Sequence, residues 1–225
     1  MSIVYIVSAP SGSGKSTLVN ELFKMVRNLD FSISYTTRPP RGSEQNGKEY
    51  FFVSREEFKA MIAADEFLEY AEVFGNYYGT AKRFLREAEA RGNDLLLDID
   101  VQGASKIKEK IPEAVSIFIL PPDRDKLEWR LRNRGLDSEA VIRRRLDTAR
   151  REIENYSKYD YILVNNVLEK SADQLRDIVL SERAQRSGVE LSGEERRRVA
   201  AAQACRLEQT RERVQPILAS FNPRV

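Results

Sequence analysis

The sequence predicts an α/β fold in which a parallel β-sheet is flanked by helices. Apolar stretches of strand length alternate with longer stretches of helical periodicity, and this alternation is typical of a parallel sheet. A glycine-rich loop separates the first predicted strand from the first predicted helix. The 225 residues provide enough chain for one domain that carries a substantial insertion.

The predicted core elements follow this alternation along the chain. Ile3–Val7 is an apolar first strand, and Lys15–Arg27 is a helix with its apolar residues on one face. Further core strands are predicted at Leu95–Leu97, Ser116–Leu120 and Tyr161–Val164. Further helices are predicted near Val101–Lys110, Asp123–Arg134, Ser138–Tyr156 and Ser171–Arg186.

Two segments depart from the alternation. Phe31–Thr80 is rich in aromatic residues and glycine turns, which predicts a small β-rich insertion. The tail from Ser187 onward is polar, and Ser192 and Glu195 have the spacing of a capping box that begins a helix. The apolar stripe of the tail is thin. We therefore expect that it adds no core element and that its removal spares catalysis.

Composition restricts the chemistry. The chain has no histidine, which excludes Ser-His-Asp and Cys-His catalysis and nearly all catalytic zinc. The single cysteine, Cys205, excludes a disulfide framework and suggests a reducing cytoplasm. No apolar run approaches the ~18 residues of a membrane span, and no secretory signal is apparent, so no membrane partner is expected.

Charge is unevenly distributed. The net charge is only +2, but Arg124–Arg151 contains ten basic and five acidic residues. Such a segment indicates an anionic partner, either nucleic acid or a polyphosphate.

The strongest local pattern is a phosphate-binding loop. It consists of Ala9, Pro10, Ser11, Gly12, Ser13, Gly14, Lys15, Ser16 and Thr17. It matches G-x-x-x-x-G-K-S/T except that Ala9 replaces the first glycine. The two glycines allow backbone N–H groups to converge on phosphate oxygens. Lys15 can bring its charge to the β- and γ-phosphates, and the Ser16 hydroxyl can bind Mg²⁺. The loop alone does not distinguish hydrolases, switches and kinases.

Further motifs make that distinction. They are Ser34-Tyr-Thr-Thr-Arg38-Pro-Pro-Arg41-Gly, Asn46-Gly-Lys-Glu-Tyr50, Phe67-Leu-Glu69-Tyr, Phe74-Gly-Asn-Tyr-Tyr78-Gly-Thr80, Asp98-Ile-Asp100-Val-Gln-Gly103, Arg130-Leu-Arg-Asn-Arg134-Gly and Val164-Asn165-Asn166. In this order and spacing, over about residues 1–185, the chain resembles bacterial-type guanylate kinases. The resemblance implies a P-loop NTPase-type core at 1–33 and 81–186, a GMP-binding domain at 34–80, a helical lid at about 124–151 and a helical tail at 187–225.

The resemblance also implies a reaction, ATP + GMP giving ADP + GDP with Mg²⁺, and roles for individual residues. GMP would be bound by Ser34, Arg38, Arg41, Tyr50, Glu69, Tyr78, Thr80 and Asp100. ATP would be bound by the phosphate loop and Asn165. The catalytic residues would be Lys15, Arg38, Arg134 and Arg145, and the metal ligands would be Ser16 and Asp98.

The chemistry of these residues fits such roles. Arginines can bind the phosphate of GMP, and one carboxylate, Glu69, can accept hydrogen bonds from both N1–H and the 2-amino group of guanine. Asp98 and Asp100 are spaced to face one side of a strand end, so either could serve the metal. Asp100 also stands where it can cap the following helix. The attacking phosphate oxygen is already ionised, so no general base is required.

Other functions remain open at this stage. A catalytically inactive guanylate-kinase-like module could bind a protein instead, although the intact loop and lid arginines argue against it. Glu69 and Thr80 argue against a kinase for another acceptor. Nucleic acid is the weakest candidate partner, because the basic segment is better explained as a lid over a triphosphate. We expect dGMP as a second acceptor, and the oligomeric state is left open.

Overall fold

The computed structural model of the protein describes residues 2–73, 75–133 and 138–222. Within these ranges the chain forms nine strands and nine α-helices. The strands are β1 (Val4–Ser8), β2 (Leu29–Ser32), β3 (Tyr35–Thr36), β4 (Phe51–Phe52), β5 (Phe67–Val73), β6 (Asn76–Ala81), β7 (Asp94–Asp98), β8 (Val115–Leu120) and β9 (Tyr161–Val164). The helices are α1 (Lys15–Met25), α2 (Arg55–Ala63), α3 (Lys82–Arg91), α4 (Val101–Lys110), α5 (Arg124–Asn133), α6 (Glu139–Ile153), α7 (Leu168–Arg186), α8 (Gly193–Gln203) and α9 (Leu207–Ser220). None of the described helices is both long and apolar enough to cross a membrane.

The strands form two sheets. The larger sheet has the order β2-β7-β1-β8-β9. The β1–β7, β2–β7 and β8–β9 pairs within it are parallel. The smaller sheet, β4-β3-β6-β5, is mixed, because β6 runs antiparallel to both β3 and β5. The predicted α/β fold with a mainly parallel sheet is confirmed, and the four predicted core strands coincide with β1, β7, β8 and β9 to within one or two residues.

The chain divides into two compact units. One comprises the residues up to Val7 together with Asn28–Val115, and the other comprises Ser8–Arg27 together with the chain from Ser116 onward. The first unit therefore contains the smaller sheet, and the second contains the phosphate loop and the tail.

Within the first unit, the aromatic residues of the predicted insertion form a core of their own. The Phe58 ring of α2 stacks on Phe67 at 4.4 Å and on Tyr77 at 5.3 Å between ring centroids. A Cβ atom on Gly79 would lie 2.8 Å from the Phe67 ring, so this packing requires a glycine in β6. The sequence signal for a β-rich insertion thus reflects a local aromatic cluster.

Two details of the insertion differ from the sequence analysis. Phe31 belongs to β2 and pairs with Leu96 in the larger sheet, so the prediction that the insertion begins at Phe31 is wrong. The insertion also contains α2, which the sequence analysis missed. Its signal is present, since Ser54 and Glu57 form a complete capping box at its start.

The tail differs more strongly. It forms α8, which begins with the predicted Ser192–Glu195 capping box, and then α9. Several of its apolar residues are buried, namely Ala202, Cys205, Val214, Ile217 and Phe221. The expectation that the tail adds no core element is therefore wrong. The apolar residues are spread over two helices and the turn between them, so the stripe of any single helix looks thin.

Candidate active site

The phosphate loop connects β1 to α1, and its two glycines are required by its geometry. Gly14 has a φ of 87° and Gly12 a φ of 92°, a region that side chains rarely adopt. A Cβ atom on Gly14 would lie 2.5 Å from Nδ2 of Asn165, and one on Gly12 would lie 2.9 Å from Leu131. Helix α1 begins at Lys15, as predicted, and its N-terminal N–H groups offer partial positive charge to an anion.

The carbonyl of Ser13 fixes the loop to two neighbouring elements. It accepts hydrogen bonds from Nδ2 of Asn165 at 2.7 Å and from the Arg130 guanidinium at 3.2 Å. The same guanidinium donates to the Asn165 carbonyl at 2.9 Å, and burial lowers the Arg130 pKa. Arg130 therefore ties α5 to the loop and to the residue after β9.

These contacts border a cavity of about 370 Å³. It is lined by Gly12, Gly14, Thr17, Trp129, Arg130, Asn133, Asn165, Asn166 and Leu168. The sequence analysis assigned no site role to Trp129 or Asn133. A signal for both exists, since they are four residues apart and so share one face of α5. Trp129 is 55% exposed, which leaves its ring accessible to a ligand.

One of the three consecutive arginines on α6 faces the loop. Nη1 of Arg145 lies 3.4 Å from the Ser11 hydroxyl, whereas Arg143 and Arg144 are exposed. The expectation that only one or two of them face the cleft agrees with this arrangement. Arg134, the other predicted catalytic arginine of the lid, lies outside the described residues.

In the first unit, Glu69 provides a buried carboxylate. Its side chain lies on β5, the residue is 6% exposed, and Oε1 accepts a hydrogen bond from the Thr80 hydroxyl at 2.8 Å. Burial raises the pKa of the Glu69 carboxyl to about 7, and the charge of Asp100 acts in the same direction. The Thr80 hydrogen bond and the charge of Lys106 partly oppose that rise. The structure thus brings Glu69, Thr80 and Asp100 together.

Helix α4 holds the strand segment that carries Glu69. Nζ of Lys110 donates to the Leu68 carbonyl at 2.6 Å, and Nζ of Lys106 donates to the Tyr70 carbonyl. A Cβ atom on Gly103 would lie 3.0 Å from Oε2 of Glu69. The sequence analysis gave none of these three α4 residues a role. Their spacing of three and four residues on one helix face is the signal that could have found the lysines.

The two aspartates of the strand end separate in the structure. Asp98 is the last residue of β7 and pairs with Val7. Asp100 lies beyond the strand and caps α4, accepting the Gly103 N–H at 2.8 Å. Asp100 is not in the strand, so strand alternation does not place it on the same side as Asp98. The predicted capping of the following helix by Asp100 is observed.

Arg38 is buried against aromatic rings of the first unit. It is 6% exposed, and its guanidinium carbon is 5.3 Å from the Tyr50 ring centroid. The Tyr50 and Tyr78 ring centroids are 6.0 Å apart. The guanidinium donates to Glu44 at 3.0 Å, and Glu44 also accepts the backbone N–H of Arg41. The sequence analysis did not single out Glu44, whose carboxylate occupies donors that a phosphate would use.

The remaining predicted residues are placed individually. Ser34 is buried beside β3, and the Arg41 side chain is exposed. Ser16 is exposed in the first turn of α1. Among the described residues there is no cluster of three or more acidic or cysteine side chains that could hold a metal ion by itself.

Together, the fold and these side chains define a class of protein. A phosphate loop follows the first strand of the parallel sheet, and a second site offers a buried carboxylate and a buried arginine. A nucleoside monophosphate kinase of the phosphate-loop class has both features.

Comparison with known proteins narrows this class to one family. The family model for guanylate kinase matches residues 1–182. A guanylate kinase of Koribacter versatilis is 62% identical over 97% of this chain and 95% of its own length. That of Escherichia coli K12 is 50% identical over 82% of this chain and 90% of its own length. The crystal structure of guanylate kinase from Anaplasma phagocytophilum has a TM-score of 0.68 and 38% identity, covering 80% of this chain and 86% of that one.

The chain belongs to the guanylate kinase family. It is a nucleoside monophosphate kinase, and its reaction is the phosphorylation of GMP by ATP. The resemblance identified from the sequence is confirmed, and the inactive binding module is not favoured.

Proposed function

We propose that Glu69 selects GMP as the acceptor and that the phosphate loop holds the ATP that phosphorylates it. The observation that carries this proposal is the burial of Glu69 with only part of its hydrogen-bonding capacity used by Thr80. N1–H and the 2-amino group of guanine are adjacent donors, and one carboxylate can accept from both. A buried hydrogen bond of this kind discriminates strongly, because the wrong base leaves the carboxylate unpaired.

The phosphate of GMP would bind beside Arg38. The guanidinium, the exposed Arg41 and the hydroxyls of Tyr50 and Tyr78 are donors suited to a phosphate dianion. The Glu44 carboxylate must then give up its bond to Arg38, because two anions would compete for the same donors. These residues bind the base and the phosphate of GMP, and none of them is assigned to the sugar. We therefore expect dGMP to be accepted as well.

On the donor side, Lys15 and the lid arginines would stabilise charge on the transferred phosphoryl group. Arg145 already reaches the loop through Ser11, and Arg134 would act with it. Asn165 would contact the adenine of ATP at the cavity that it lines. The attacking GMP oxygen is ionised, so these residues act by positioning and electrostatics.

Mg²⁺ fits the predicted ligands by chemistry. The Ser16 hydroxyl and the Asp98 carboxylate are hard oxygen donors, and Mg²⁺ is usually held by one or two protein oxygens together with substrate phosphates. When bound, it would neutralise charge on the β- and γ-phosphates of ATP. The buried free thiol of Cys205 is compatible with the reducing cytoplasm that we propose as the location.

A coupled ADP-release assay with GMP, dGMP, AMP, CMP and UMP tests the proposal. GMP and dGMP should be phosphorylated far faster than the other three nucleotides. Similar rates with AMP and GMP would show that the buried carboxylate does not select the base.

A further inference from the structure

The C-terminal segment, residues 187–222, has no part in the phosphoryl transfer described above. It lies beyond residue 182, where the match to the family model ends. It nevertheless contacts both α5, whose residues line the donor cavity, and β9, the strand that ends just before the cavity-lining Asn165. We propose that α8, the turn after it and α9 form a C-terminal brace that positions β9 and α5 and so sets the affinity for ATP. This inference rests on the proposed assignment of that cavity to ATP.

The first contact is with the backbone of β9. Tyr161 and Arg206 form an antiparallel bridge, and the Ile162 N–H donates to the Cys205 carbonyl at 2.8 Å. The Leu207 N–H donates to the Asp160 carbonyl at 3.1 Å. Because β9 is an edge strand of the larger sheet, these bonds pair backbone groups that the sheet itself leaves open. The brace thus restrains the strand that ends just before Asn165.

A buried polar cluster strengthens this contact. Glu182 of α7 is buried and accepts hydrogen bonds from the Tyr161 hydroxyl at 2.5 Å and from the Arg206 guanidinium at 2.8 Å. The Arg206 guanidinium also lies 4.1 Å from the centroid of the Tyr161 ring. Removing one partner of such a cluster leaves a buried charge uncompensated. The cluster therefore joins the brace, α7 and β9 in one arrangement.

The second contact is with the start of α5. The Ser220 hydroxyl accepts the Arg124 N–H at 3.0 Å and donates to the Ile217 carbonyl at 2.6 Å. Arg124 is the first residue of α5, and the first N–H groups of a helix have no partner inside it. A residue of α9 therefore caps the helix that carries Trp129 and Arg130.

The two contacts act on elements next to the same cavity. The Asn165 side chain after β9 and the Arg130 side chain of α5 both bind the Ser13 carbonyl of the phosphate loop. If α5 or β9 shifts, one or both of these bonds lengthen, and the loop loses its fixed position. Small displacements of positioning groups have large effects on nucleotide binding and turnover. Loss of the brace should therefore weaken ATP binding and leave the GMP site, which lies in the other unit, unaffected.

The test compares Ser220→Ala with two other variants in the full chain. Ser220→Ala removes the acceptor of the Arg124 N–H, leaves the bond from the Lys126 N–H to Asp123 in place, and should raise the KM for ATP about 3- to 10-fold, the effect of one lost neutral hydrogen bond. The KM for GMP should not change. Ser220→Thr keeps the hydroxyl and should restore the KM for ATP. Ser54→Ala is the matched control, because it removes an equivalent cap from α2, which lies in the first unit and outside the brace, and it should leave the KM for ATP unchanged.

Binding is measured separately through Trp129, the only tryptophan of the chain, which lines the cavity. Its fluorescence is titrated with a non-hydrolysable ATP analogue, and Ser220→Ala should shift the Kd by the same factor as the KM. Unchanged ATP binding, or an equal rise of both KM values, would overturn the brace. If the wild-type fluorescence does not respond to the analogue at all, the assignment of the cavity to ATP, on which the brace proposal rests, is wrong.

Discussion

The proposed donor and acceptor sites are built from different parts of the polypeptide. At the donor site, backbone groups shape the phosphate loop. These groups are two glycines with positive φ, the N-terminus of α1 and the Ser13 carbonyl. At the acceptor site, buried side chains dominate, chiefly Glu69 and Arg38. A backbone site is sensitive to the path of the chain, whereas a side-chain site is sensitive to the ionisation and pairing of individual groups.

This difference follows from what each site must recognise. Backbone N–H groups and a lysine bind phosphates, which every nucleoside triphosphate carries. The acceptor site must instead distinguish guanine from adenine, and this requires a hydrogen-bonding side chain at a fixed place. A change confined to one site should therefore alter the kinetics of that site and leave the other unaffected.

Lys15→Ala should have the largest effect. It removes the side-chain charge that offsets developing charge on the transferred phosphoryl group, so kcat should fall roughly 100-fold or more. GMP binding, measured by calorimetry, and the thermal unfolding midpoint should stay near their wild-type values. Near-normal steady-state turnover would contradict the assignment of this loop to the donor.

Glu69→Gln should have the next largest effect, confined to the acceptor. The amide presents a donor in place of one acceptor, and a lost hydrogen bond to a charged group is worth about 1.5–3 kcal/mol. We expect kcat/KM for GMP to fall roughly 10- to 150-fold. The ratio of kcat/KM for GMP to that for AMP should become smaller. The affinity for ATP, measured separately, should hold. An unchanged GMP-to-AMP ratio would move base recognition to Ser34, Thr80 or Asp100.

The contrast between the sites also explains what the sequence predicted well. The phosphate loop is a local pattern, so the strand before it, Gly12, Gly14 and the start of α1 at Lys15 all followed from contiguous residues. The restraint on Glu69 is not local. It comes from Gly103 and two lysines of α4, and only the folded chain shows that this helix faces β5.

The same reason accounts for the choices that the sequence left open. Arg143, Arg144 and Arg145 are chemically identical, and only the orientation of α6 places Arg145 toward Ser11. The role of Glu44 depends on its ion pair with Arg38, which a charge count does not show. The tail was misjudged because its buried residues come from two helices and a turn that pack against different partners.

Two glycine substitutions perturb the two sites individually, because each adds a single Cβ atom at one site. Gly14→Ala places a Cβ atom 2.5 Å from Asn165 in a left-handed conformation, which costs about 1–2 kcal/mol in backbone strain alone. It should raise the KM for ATP roughly 5- to 30-fold. Gly103→Ala places a Cβ atom 3.0 Å from Oε2 of Glu69 without such strain, and it should raise the KM for GMP about fivefold or more.

Each glycine variant is the control for the other. Gly14→Ala should leave the KM for GMP unchanged, and Gly103→Ala should leave the KM for ATP unchanged. If both variants raise both KM values equally, the two sites are not independent.

The last prediction needs no substitution and concerns pH. Burial raises the pKa of the Glu69 carboxyl to about 7 in the free protein, and only the ionised form can accept both hydrogen bonds from guanine. The contribution of Glu69 to kcat/KM for GMP should therefore be full about one pH unit above the pKa, fall by about half at pH 7 and fall about tenfold near pH 6. The kcat/KM profile is the appropriate measurement, because it reports ionisations of the free enzyme and the free substrate.

The phosphate of GMP also titrates, with a pKa near ~6, so the profile of Glu69→Gln serves as the reference. A glutamine cannot ionise, so that variant should keep only the limb due to the substrate phosphate, and the ratio of the two profiles isolates Glu69. The ratio of wild type to variant should rise with pH through about 7 and then level off. A ratio independent of pH would show that Glu69 is not the ionised acceptor of guanine.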